Sequence, residues 1–472
     1  MEQERQQYMW WNNFTNKKIT NMEKALLTLA TVLLFLGNVN AQLPKETPEQ
    51  KSERMKWWTE ARFGMFCHWG LYSMPARHEW VRNKEKINDE EYQKYFELYN
   101  PDLFQPAAWA RMAKAAGMKY FVITAKHHEG FCNWDSKFTD YKITNTPFKR
   151  DALKEVADAM RAEGIKVGFY YSLIDWHHPD FTLDQFHPLK PKDNVAKMDS
   201  INATRDMAKY RTYIKNQVTE LLTNYGEISL IWFDFSYKEK GHNEWASEDL
   251  LKTVRKLQPK ILVNNRLDLN KEEGGWDFMT PEQYVPAKWP EIEGKRVPWE
   301  SCQTFSGSWG YYRDENTWKS HNQLLSMLIE NVSKGGNLLL NVGPTARGYL
   351  DYRTESALKA MGDWMKYNSA SIYGCTQAPE EYKAPANCLY TFNPTTKRLY
   401  VHLMNYPTGK ITLPDFRGKV KYAQFLHDNS EIQFISKSTH QPDAEKVEGD
   451  LILSLPVLKP NMEIPVIELI LK

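Results

Sequence analysis

The sequence lacks the features that would tie the protein to nucleic acid, to a membrane or to a structural metal. Its 472 residues carry a formal net charge of +2, with Lys and Arg spread among Asp and Glu, so no basic stripe is available for phosphate backbones or acidic lipids. Beyond residue 41 no apolar run is long enough to span a bilayer. The five cysteines include no C-x-x-C pair, which argues against a zinc ribbon or a disulfide framework and predicts that most of the thiols are buried.

Aromatic residues, by contrast, are plentiful. The chain has 17 Trp, 25 Tyr and 21 Phe, and 42% of its residues are hydrophobic, enough for one large domain and a smaller one. Tryptophan and tyrosine faces fill protein cores, and they also stack on sugar rings. Composition alone leaves both roles open.

The first 41 residues resemble an upstream extension followed by an export signal. Met22 opens a segment with an apolar run at 25–36 and small residues up to Ala41, the pattern of a signal peptide with its cleavage site. The run is too short for a membrane span. We therefore predict an upstream extension at 1–21, a signal peptide at 22–41, and export to the periplasm or the cell exterior, with a lysosome-like compartment less favoured.

Residues 42–371 alternate between strand-like apolar runs and amphipathic helical ones. The predicted strands are Arg62–Trp69, Lys119–Thr124, Lys166–Ser172, Ile228–Asp234, Lys260–Asn264, the extended piece Phe278–Glu282, Arg296–Thr304 and Gly336–Val342. The predicted helices are Pro106–Ala116, one capped by Asp151 and ending near Gly164, Ala203–Asn224, Glu248–Leu257 and Asn322–Ser333. This α/β alternation predicts a (β/α)8-like barrel. A doubly wound open sheet is the alternative, but no glycine-rich phosphate loop follows any strand.

From about Ile372 the pattern changes to short alternating runs broken by Pro, Gly, Asn and Asp. Runs of this kind are typical of antiparallel strands joined by tight turns. We predict a C-terminal antiparallel β-sandwich at 372–472 that covers one flank of the barrel.

Polar and aromatic residues collect where the predicted barrel strands end. Because the loops after the strands form the active face of such a barrel, these residues are expected to meet there. They are His68, Glu79, Trp80, His127, His128, Tyr171, Asp234, Arg266, Glu300 and Trp309. One loop histidine is more often a structural hydrogen-bonding residue than a catalyst. A whole set of His, Tyr, Asp, Arg, Glu and Trp predicts a polar pocket with aromatic walls and two carboxylates, which suits a sugar.

A metal hydrolase is the competing enzyme class. Such barrels usually place two histidines as His-x-His, so that both side chains point inward, whereas here His127 and His128 are adjacent. Strand alternation is expected to turn them apart unless the backbone is irregular there. We therefore predict no metal site and no cofactor.

Several segments, taken in order, resemble a known family. They are Ala61–Gly70, Lys126–Phe131, Phe169–Ser172, Trp232–Asp234, Asn264–Arg266, Trp299–Glu300, Ser308–Tyr311 and Gly335–Pro344. Across residues 57–345 the chain is similar to the α-L-fucosidases of glycoside hydrolase family 29, and its predicted C-terminal sandwich fits that family too.

The resemblance implies a retaining exo-hydrolase that removes terminal α-L-fucose from a fucosylated oligosaccharide or glycoconjugate. Asp234 matches the family's nucleophile, which forms a covalent glycosyl-enzyme. The residues that match substrate contacts are His68, Glu79, Trp80, His127, His128, Tyr171, Arg266 and Trp309. The resemblance implies no cofactor, and the oligomeric state and the preferred linkage stay open.

The resemblance places the general acid/base at Glu300, with Glu79 and Glu282 in reserve. In a retaining enzyme this carboxyl group lies about 5–5.5 Å from the nucleophile. A much longer separation between Glu300 and Asp234 would count against the assignment.

Two residues depart from the family pattern. Glu129 stands where the family usually has Asp, which is expected to change a loop hydrogen bond and to spare activity. Phe235 stands where Gly is common after the nucleophile, and its ring is expected to reshape the edge of the pocket and to influence linkage preference.

Two other functions remain as alternatives. One is a related retaining hydrolase for a close analogue of fucose such as L-galactose. The other is a catalytically inactive fucose-binding protein on the same fold. The presence of Asp234 argues against the second, because loss of the nucleophile is the usual mark of such a protein.

Overall fold

The computed structural model describes residues 46–192, 194–269, 275–435 and 449–472. The predicted extension at 1–21 and the signal peptide at 22–41 lie outside the described residues. Within the described ranges, no helix is both long and apolar enough to cross a membrane.

A seven-stranded parallel sheet forms the centre of the molecule, with the order β5-β4-β3-β2-β1-β9-β8. Its strands are β1 (Phe63–Cys67), β2 (Tyr120–Lys126), β3 (Lys166–Ser172), β4 (Leu230–Asp234), β5 (Leu262–Val263), β8 (Glu300–Thr304) and β9 (Asn337–Val342). A small antiparallel pair, β6 (Glu291–Ile292) and β7 (Lys295–Arg296), precedes β8 in the chain.

The segment 278–282 connects the two edges of this sheet. Asn264, just after β5, pairs in parallel with Phe278, and Glu282 pairs in parallel with Cys302 of β8. The segment therefore stands in the place of an eighth strand and closes the ring. The predicted (β/α)8-like barrel is confirmed.

Helices follow most of the strands and surround the ring. They span Pro48–Ala61, Val81–Lys84, Asp89–Leu98, Pro106–Ala115, Ala152–Ala162, Val195–Asn202, Met207–Asn224, His242–Trp245, Ser247–Leu257, His321–Ser333 and Tyr352–Asn368. Side-chain caps fix several of their starts. As predicted, Asp151 caps its helix by accepting a hydrogen bond from the Lys154 backbone N–H, and Ser320 forms a capping box with Gln323.

Strand alternation sorts the β4 side chains into two layers. Leu230 and Trp232 lie in the cluster inside the barrel, whereas Ile231 and Phe233 lie in the core between the strands and the helices. Burying each large apolar side chain contributes about 1.5–3 kcal/mol, so the register is strongly fixed. The same alternation turns the last residue, Asp234, toward the inside of the barrel.

Antiparallel sheets form the C-terminal part of the described chain, as predicted. One sheet has the order β10-β11-β12-β17-β14 and the other β13-β16-β15. The strands are β10 (Thr376–Gln377), β11 (Cys388–Asn393), β12 (Arg398–Leu403), β13 (Lys410–Leu413), β14 (Val420–Phe425), β15 (Phe434–Ile435), β16 (Leu451–Ser454) and β17 (Val466–Leu471). Residues 51–472 form one compact unit, and the boundary between 371 and 372 stays a prediction.

Candidate active site

Asp234 ends β4 at the carboxyl end of the barrel and is only 8% exposed. The Tyr170 hydroxyl donates a hydrogen bond to its Oδ2 at 2.7 Å, and Nη1 of Arg266 donates to its Oδ1 at 2.7 Å. Both carboxylate oxygens are thus held from two sides, and the group is fixed in position.

Arg266 joins this carboxylate to a second one. Its Nη2 lies 2.8 Å from Oε2 of Glu282, whose side chain is 43% exposed. Its Nε donates a hydrogen bond to the Thr280 hydroxyl at 2.9 Å, which orients the guanidinium plane. Burial lowers the pKa of Arg266, but the negative charges of Asp234 and Glu282 outweigh it and raise that pKa, so the residue is a permanent cation.

Three buried histidines line the same end of the barrel. His68 Nδ1 lies 2.6 Å from Oδ1 of Asn341, and the ring centroids of His68 and His127 are 5.6 Å apart. His128 Nδ1 lies 2.8 Å from the Ser172 hydroxyl. Burial lowers the pKa of His68 to about 4 and holds the pKa values of His127 and His128 well below the ordinary value. All three rings are therefore neutral at neutral pH, and each can both donate and accept a hydrogen bond.

The adjacent histidines do not point apart. The ring centroids of His127 and His128 are 4.0 Å apart, because both residues follow Lys126, where β2 ends and strand alternation no longer applies. Among the described residues, no group of three or more His, Cys, Asp or Glu side chains could hold a metal ion.

Glu79 connects the loops after β1 and β8. Its Oε2 accepts hydrogen bonds from the backbone N–H groups of Trp309 (3.1 Å) and Gly310 (2.9 Å), and burial raises its pKa to about 7. The Trp309 ring lies 5.1 Å from His68, and the Trp80 ring 5.1 Å from His128, centroid to centroid. The two indoles thus pack against two of the three histidines.

The structure contradicts the placement of Tyr171 in the pocket. Its hydroxyl donates to Gln217 Oε1 at 2.8 Å in the layer between the strands and the helices. The neighbouring Tyr170 faces inward and holds Asp234 instead. The two-residue alternation along β3 was a signal in the sequence that could have distinguished them.

The structure also contradicts the assignment of Glu300 as acid/base. Glu300 is the first residue of β8, so it lies at the amino end of the barrel, whereas Asp234 lies at the carboxyl end of β4. It is 0% exposed, and its carboxyl oxygens accept hydrogen bonds from the Tyr120 hydroxyl and from the indoles of Trp58 and Trp232. A group enclosed in this way reaches neither Asp234 nor a leaving group at the mouth of the pocket.

Of the two departures from the family pattern, Phe235 contacts the site and Glu129 lies in the buried layer beside it. Phe235 adopts a left-handed backbone with φ 79°, which is rare for a bulky residue, and its ring lies 4.7 Å from His128 and 5.4 Å from Trp80. Glu129 is buried and accepts hydrogen bonds from the Leu71 backbone N–H and the Tyr92 hydroxyl. Burial raises its pKa to about 7.

The arrangement suits one kind of chemistry. Neutral histidines recognise hydroxyls, indole faces pack on C–H surfaces, and two carboxylates under one guanidinium flank a reacting bond. At the carboxyl end of a (β/α)8-like barrel, this is the site of a glycoside hydrolase.

The family model for α-L-fucosidase matches residues 37–370, and the chain belongs to the α-L-fucosidase family. Among curated relatives, the tissue α-L-fucosidase of Macaca fascicularis is 29% identical over 93% of this chain and 94% of its own length. That of Rattus norvegicus is 32% identical over 67% of this chain and 69% of its own.

Solved structures of α-L-fucosidases are similar to this chain over most of its length. An α-L-fucosidase isoenzyme of Paenibacillus thiaminolyticus has 44% sequence identity and a TM-score of 0.84, covering 89% of this chain and 99% of that one. An α-L-fucosidase of Bacteroides thetaiotaomicron has 28% identity and a TM-score of 0.76, covering 89% of this chain and 96% of that one. That enzyme was trapped as a covalent intermediate with 2-fluoro-fucosyl fluoride in a Glu-to-Gln mutant.

Proposed function

We propose that this chain hydrolyses terminal α-L-fucose with retention of configuration through a glycosyl-enzyme on Asp234. The observation that carries the proposal is Arg266, whose guanidinium holds Asp234 on one nitrogen and Glu282 on the other. Retaining glycosidases need two carboxyl groups about 5–5.5 Å apart, and two carboxylates held on neighbouring nitrogens of one planar group fit that requirement. The trapped intermediate of the Bacteroides relative supports the same route.

Asp234 is the proposed nucleophile. One oxygen attacks the anomeric carbon as the glycosidic C–O bond breaks, and an ester bond forms to the enzyme. Tyr170 and Arg266 orient the carboxylate for this attack. When the ester is hydrolysed, the same hydrogen bonds stabilise the Asp234 carboxylate that is released.

Glu282 replaces Glu300 as the proposed acid/base. Its side chain is 43% exposed, so it stands where a departing sugar meets solvent, whereas Glu300 is sealed in the barrel. In the first step the protonated Glu282 gives its proton to the leaving oxygen. In the second step the Glu282 carboxylate removes a proton from the attacking water, and the C–O bond to Asp234 breaks.

An unsatisfied buried atom supports a hydroxyl-rich ligand. Nδ1 of His127 has no hydrogen-bond partner among the described residues. A buried polar atom without a partner is costly, and a fucose hydroxyl would supply one to it. The proposed ligand is the terminal fucose of an oligosaccharide or glycoconjugate, with His68, His128, Trp80 and Trp309 completing its surroundings.

We also propose that residues 22–41 direct export and are removed. The apolar run at 25–36 and the small residues up to Ala41 support this proposal. N-terminal sequencing of the exported protein should find Gln42 as the first residue, and retention of residues 22–41 would refute it.

The test of the proposed function uses the chain from residue 42 to 472 with an aryl α-L-fucoside and an α1,3/4-fucosylated branched oligosaccharide. Release of fucose, with the α-anomer seen first by NMR, is expected. Asp234→Ala should lower turnover by about 1,000-fold or more, because the covalent route is lost, and should leave the melting temperature within a few degrees. Release of the β-anomer first would refute retention.

The same assay, extended to an aryl α-L-galactoside, separates the alternatives. Release of L-galactose from that substrate, without release of fucose from the other two, would identify a hydrolase for the analogue sugar. Binding of fucose without release from any of these substrates would identify a sugar-binding protein.

A further inference from the structure

Glu300 is a buried acid for which the proposed reaction has no role. Oε2 accepts hydrogen bonds from Trp58 Nε1 at 3.3 Å and from the Tyr120 hydroxyl, and Oε1 accepts from Trp232 Nε1 at 3.3 Å. Burial raises the pKa of this carboxyl group to about 7. Burying a carboxyl group costs free energy of desolvation, so its presence at this position calls for an explanation.

Trp232 links Glu300 to the nucleophile. The Tyr170 ring stacks on the indole with centroids 5.8 Å apart and an interplanar angle of 22°. The Arg266 guanidinium lies over the indole at 4.5 Å from the ring centroid, a cation–π contact. Tyr170 and Arg266 are the two residues whose hydrogen bonds hold Asp234.

We propose that Glu300 is a positioning residue for the nucleophile. Its hydrogen bond fixes the indole of Trp232, and the Tyr170 ring and the Arg266 guanidinium, which hold Asp234, pack on that indole. This inference rests on the proposed glycosyl-enzyme at Asp234.

The physical reason lies in the asymmetry of the indole. A tryptophan side chain can rotate by about 180° about its second torsion, because that torsion is broad and roughly two-fold. The rotated ring would carry its N–H away from Glu300 and present a different outline to Tyr170 and Arg266. The hydrogen bond from Nε1 to Glu300 selects one orientation, since a buried N–H without an acceptor is unfavourable.

The experiment measures how fast the whole chain is covalently labelled by 2-fluoro-fucosyl fluoride. Fluoride leaves with little help from an acid, so the labelling rate reports on the nucleophile itself. Glu300→Leu, which removes the acceptor for Trp232, is expected to label about tenfold more slowly or worse, since a misplacement of about 1 Å costs up to about 100-fold. Where this variant fails to fold, Glu300→Met takes its place with a more flexible side chain of similar volume.

Glu300→Gln is the conservative rescue. Its side-chain carbonyl can accept from Trp232 Nε1, while its amide takes the place of Oε2 and donates to the Tyr120 hydroxyl, which leaves only Trp58 Nε1 without its acceptor. Labelling and turnover of an unactivated fucosylated oligosaccharide are both expected within about threefold of wild type, because the indole stays fixed.

Glu220 provides a matched control. Its Oε2 accepts from Trp134 Nε1 at 3.3 Å and from the Ser136 hydroxyl at 2.8 Å, so it too is a buried glutamate that fixes an indole. It belongs to the helix Met207–Asn224, outside the strand ring. Glu220→Leu is expected to lower the melting temperature and to leave the labelling rate per folded molecule within about twofold.

Two outcomes would overturn the inference while the proposed function stands. If Glu300→Leu lowers the melting temperature as Glu220→Leu does but is labelled at the wild-type rate, Glu300 has only a structural role. If Glu300→Gln is labelled normally but loses turnover of the unactivated oligosaccharide, Glu300 is the acid/base after all. A wild-type chain that is itself not labelled would refute the glycosyl-enzyme and this inference with it.

Discussion

At the scale of single residues, Glu282 differs from Glu300 in what surrounds it. Glu282 is partly exposed beside Arg266, whereas Glu300 is enclosed by aromatic hydrogen-bond donors. Only Glu282 has the contact with solvent that the proposed acid/base role requires.

This difference predicts how Glu282→Ala behaves. The variant should lose about 100-fold or more on a natural glycan, whose alkoxide leaving group needs a proton, and much less on an aryl fucoside with an acidic phenol. Steady-state rates on the two substrates measure it. Azide should restore part of the rate by replacing water in the second step, and equal losses on both substrates without rescue would count against Glu282.

Glu129 predicts a dependence of stability on pH. Burial raises the pKa of the Glu129 carboxyl group to about 7 in the folded protein, compared with an ordinary value of 4.5 for glutamate. Between these values the folded state binds more protons than the unfolded state, so the free energy of unfolding falls as pH rises from about 4.5 to about 7. Glu129→Gln keeps hydrogen bonds to Leu71 and Tyr92 but removes this proton.

The comparison needs unfolding curves in urea for both proteins. Relative to the variant, the wild type should lose up to about 3 kcal/mol between pH 5 and pH 8, at about 1.4 kcal/mol per pKa unit. Equal changes with pH in the two proteins would mean that Glu129 does not titrate in this range.

At the scale of elements, the junction after β4 combines a constrained backbone with a wall of the pocket. Phe235 has φ 79°, a conformation that costs a non-glycine residue about 1–3 kcal/mol, and its ring packs against Trp80, His128 and Phe186. The ring contacts fix the edge of the site and offset the backbone cost.

Phe235→Gly should therefore alter specificity more than stability. Without the ring, KM is expected to rise several-fold on all fucosides, because Trp80 and His128 lose a packing partner. The ratio of kcat/KM between α1,2-linked and α1,3/4-linked fucosides should also move closer to one. Kinetics on a linkage series measures this. Phe235→Ala is the control: it should match the kinetics of Phe235→Gly but be about 1 kcal/mol less stable, because alanine is strained at this φ. Unchanged linkage preference in both variants would contradict a role for the ring.

Sequence patterns predicted best the elements that are buried along their whole length. The bounds of β3 were predicted at Lys166–Ser172 because all of its residues after Lys166 are buried and it is rich in Val, Phe and Tyr. The helix Pro48–Ala61 was missed, since its sequence is mostly polar and only Met55, Trp58 and Ala61 are buried. The helices Asp89–Leu98, Val195–Asn202 and Tyr352–Asn368 were likewise not predicted.

The residues of the candidate site likewise include some that the sequence predicted and some that it did not. Asp234, Arg266 and the histidines were predicted, because strand ends of a parallel barrel meet at one face. Glu300 was misplaced because it is the first residue of β8, whereas the predicted strand Arg296–Thr304 began four residues earlier, and sequence patterns define the ends of a strand poorly. Tyr170 was missed although alternation from Ser172 pointed to it.

At the scale of the whole molecule, the C-terminal sheets share the core of the barrel. Ile464 and Val466 belong to the main hydrophobic cluster, and the Trp364 indole donates to the Ile464 carbonyl at 2.9 Å. Arg62, just before β1, donates to the Cys375 carbonyl at 2.6 Å. Neither part buries its apolar surface fully without the other.

We therefore expect one cooperative unfolding transition for residues 42–472. Calorimetry should give a single peak whose van't Hoff and calorimetric enthalpies agree. Trp364→Ala, which removes a core side chain between the two parts, should lower the whole transition by several degrees, since such truncations cost about 3–5 kcal/mol. Two separate peaks, of which only one moves in the variant, would contradict a shared core.

The seam that closes the barrel has a consequence for how such enzymes diverge. The segment 278–282 pairs with Asn264 on one side and with Trp299 and Cys302 on the other, and backbone hydrogen bonds such as that from the Glu300 N–H to the Met279 carbonyl (2.9 Å) hold it there. Because these pairings hold the segment itself, the chain before and after it can change in length without shifting β4 and its Asp234. Since Glu282, the proposed acid/base, lies on this segment, the number of residues between the two carboxylates is free to drift between relatives, and a fixed spacing in sequence is a poor guide to that residue.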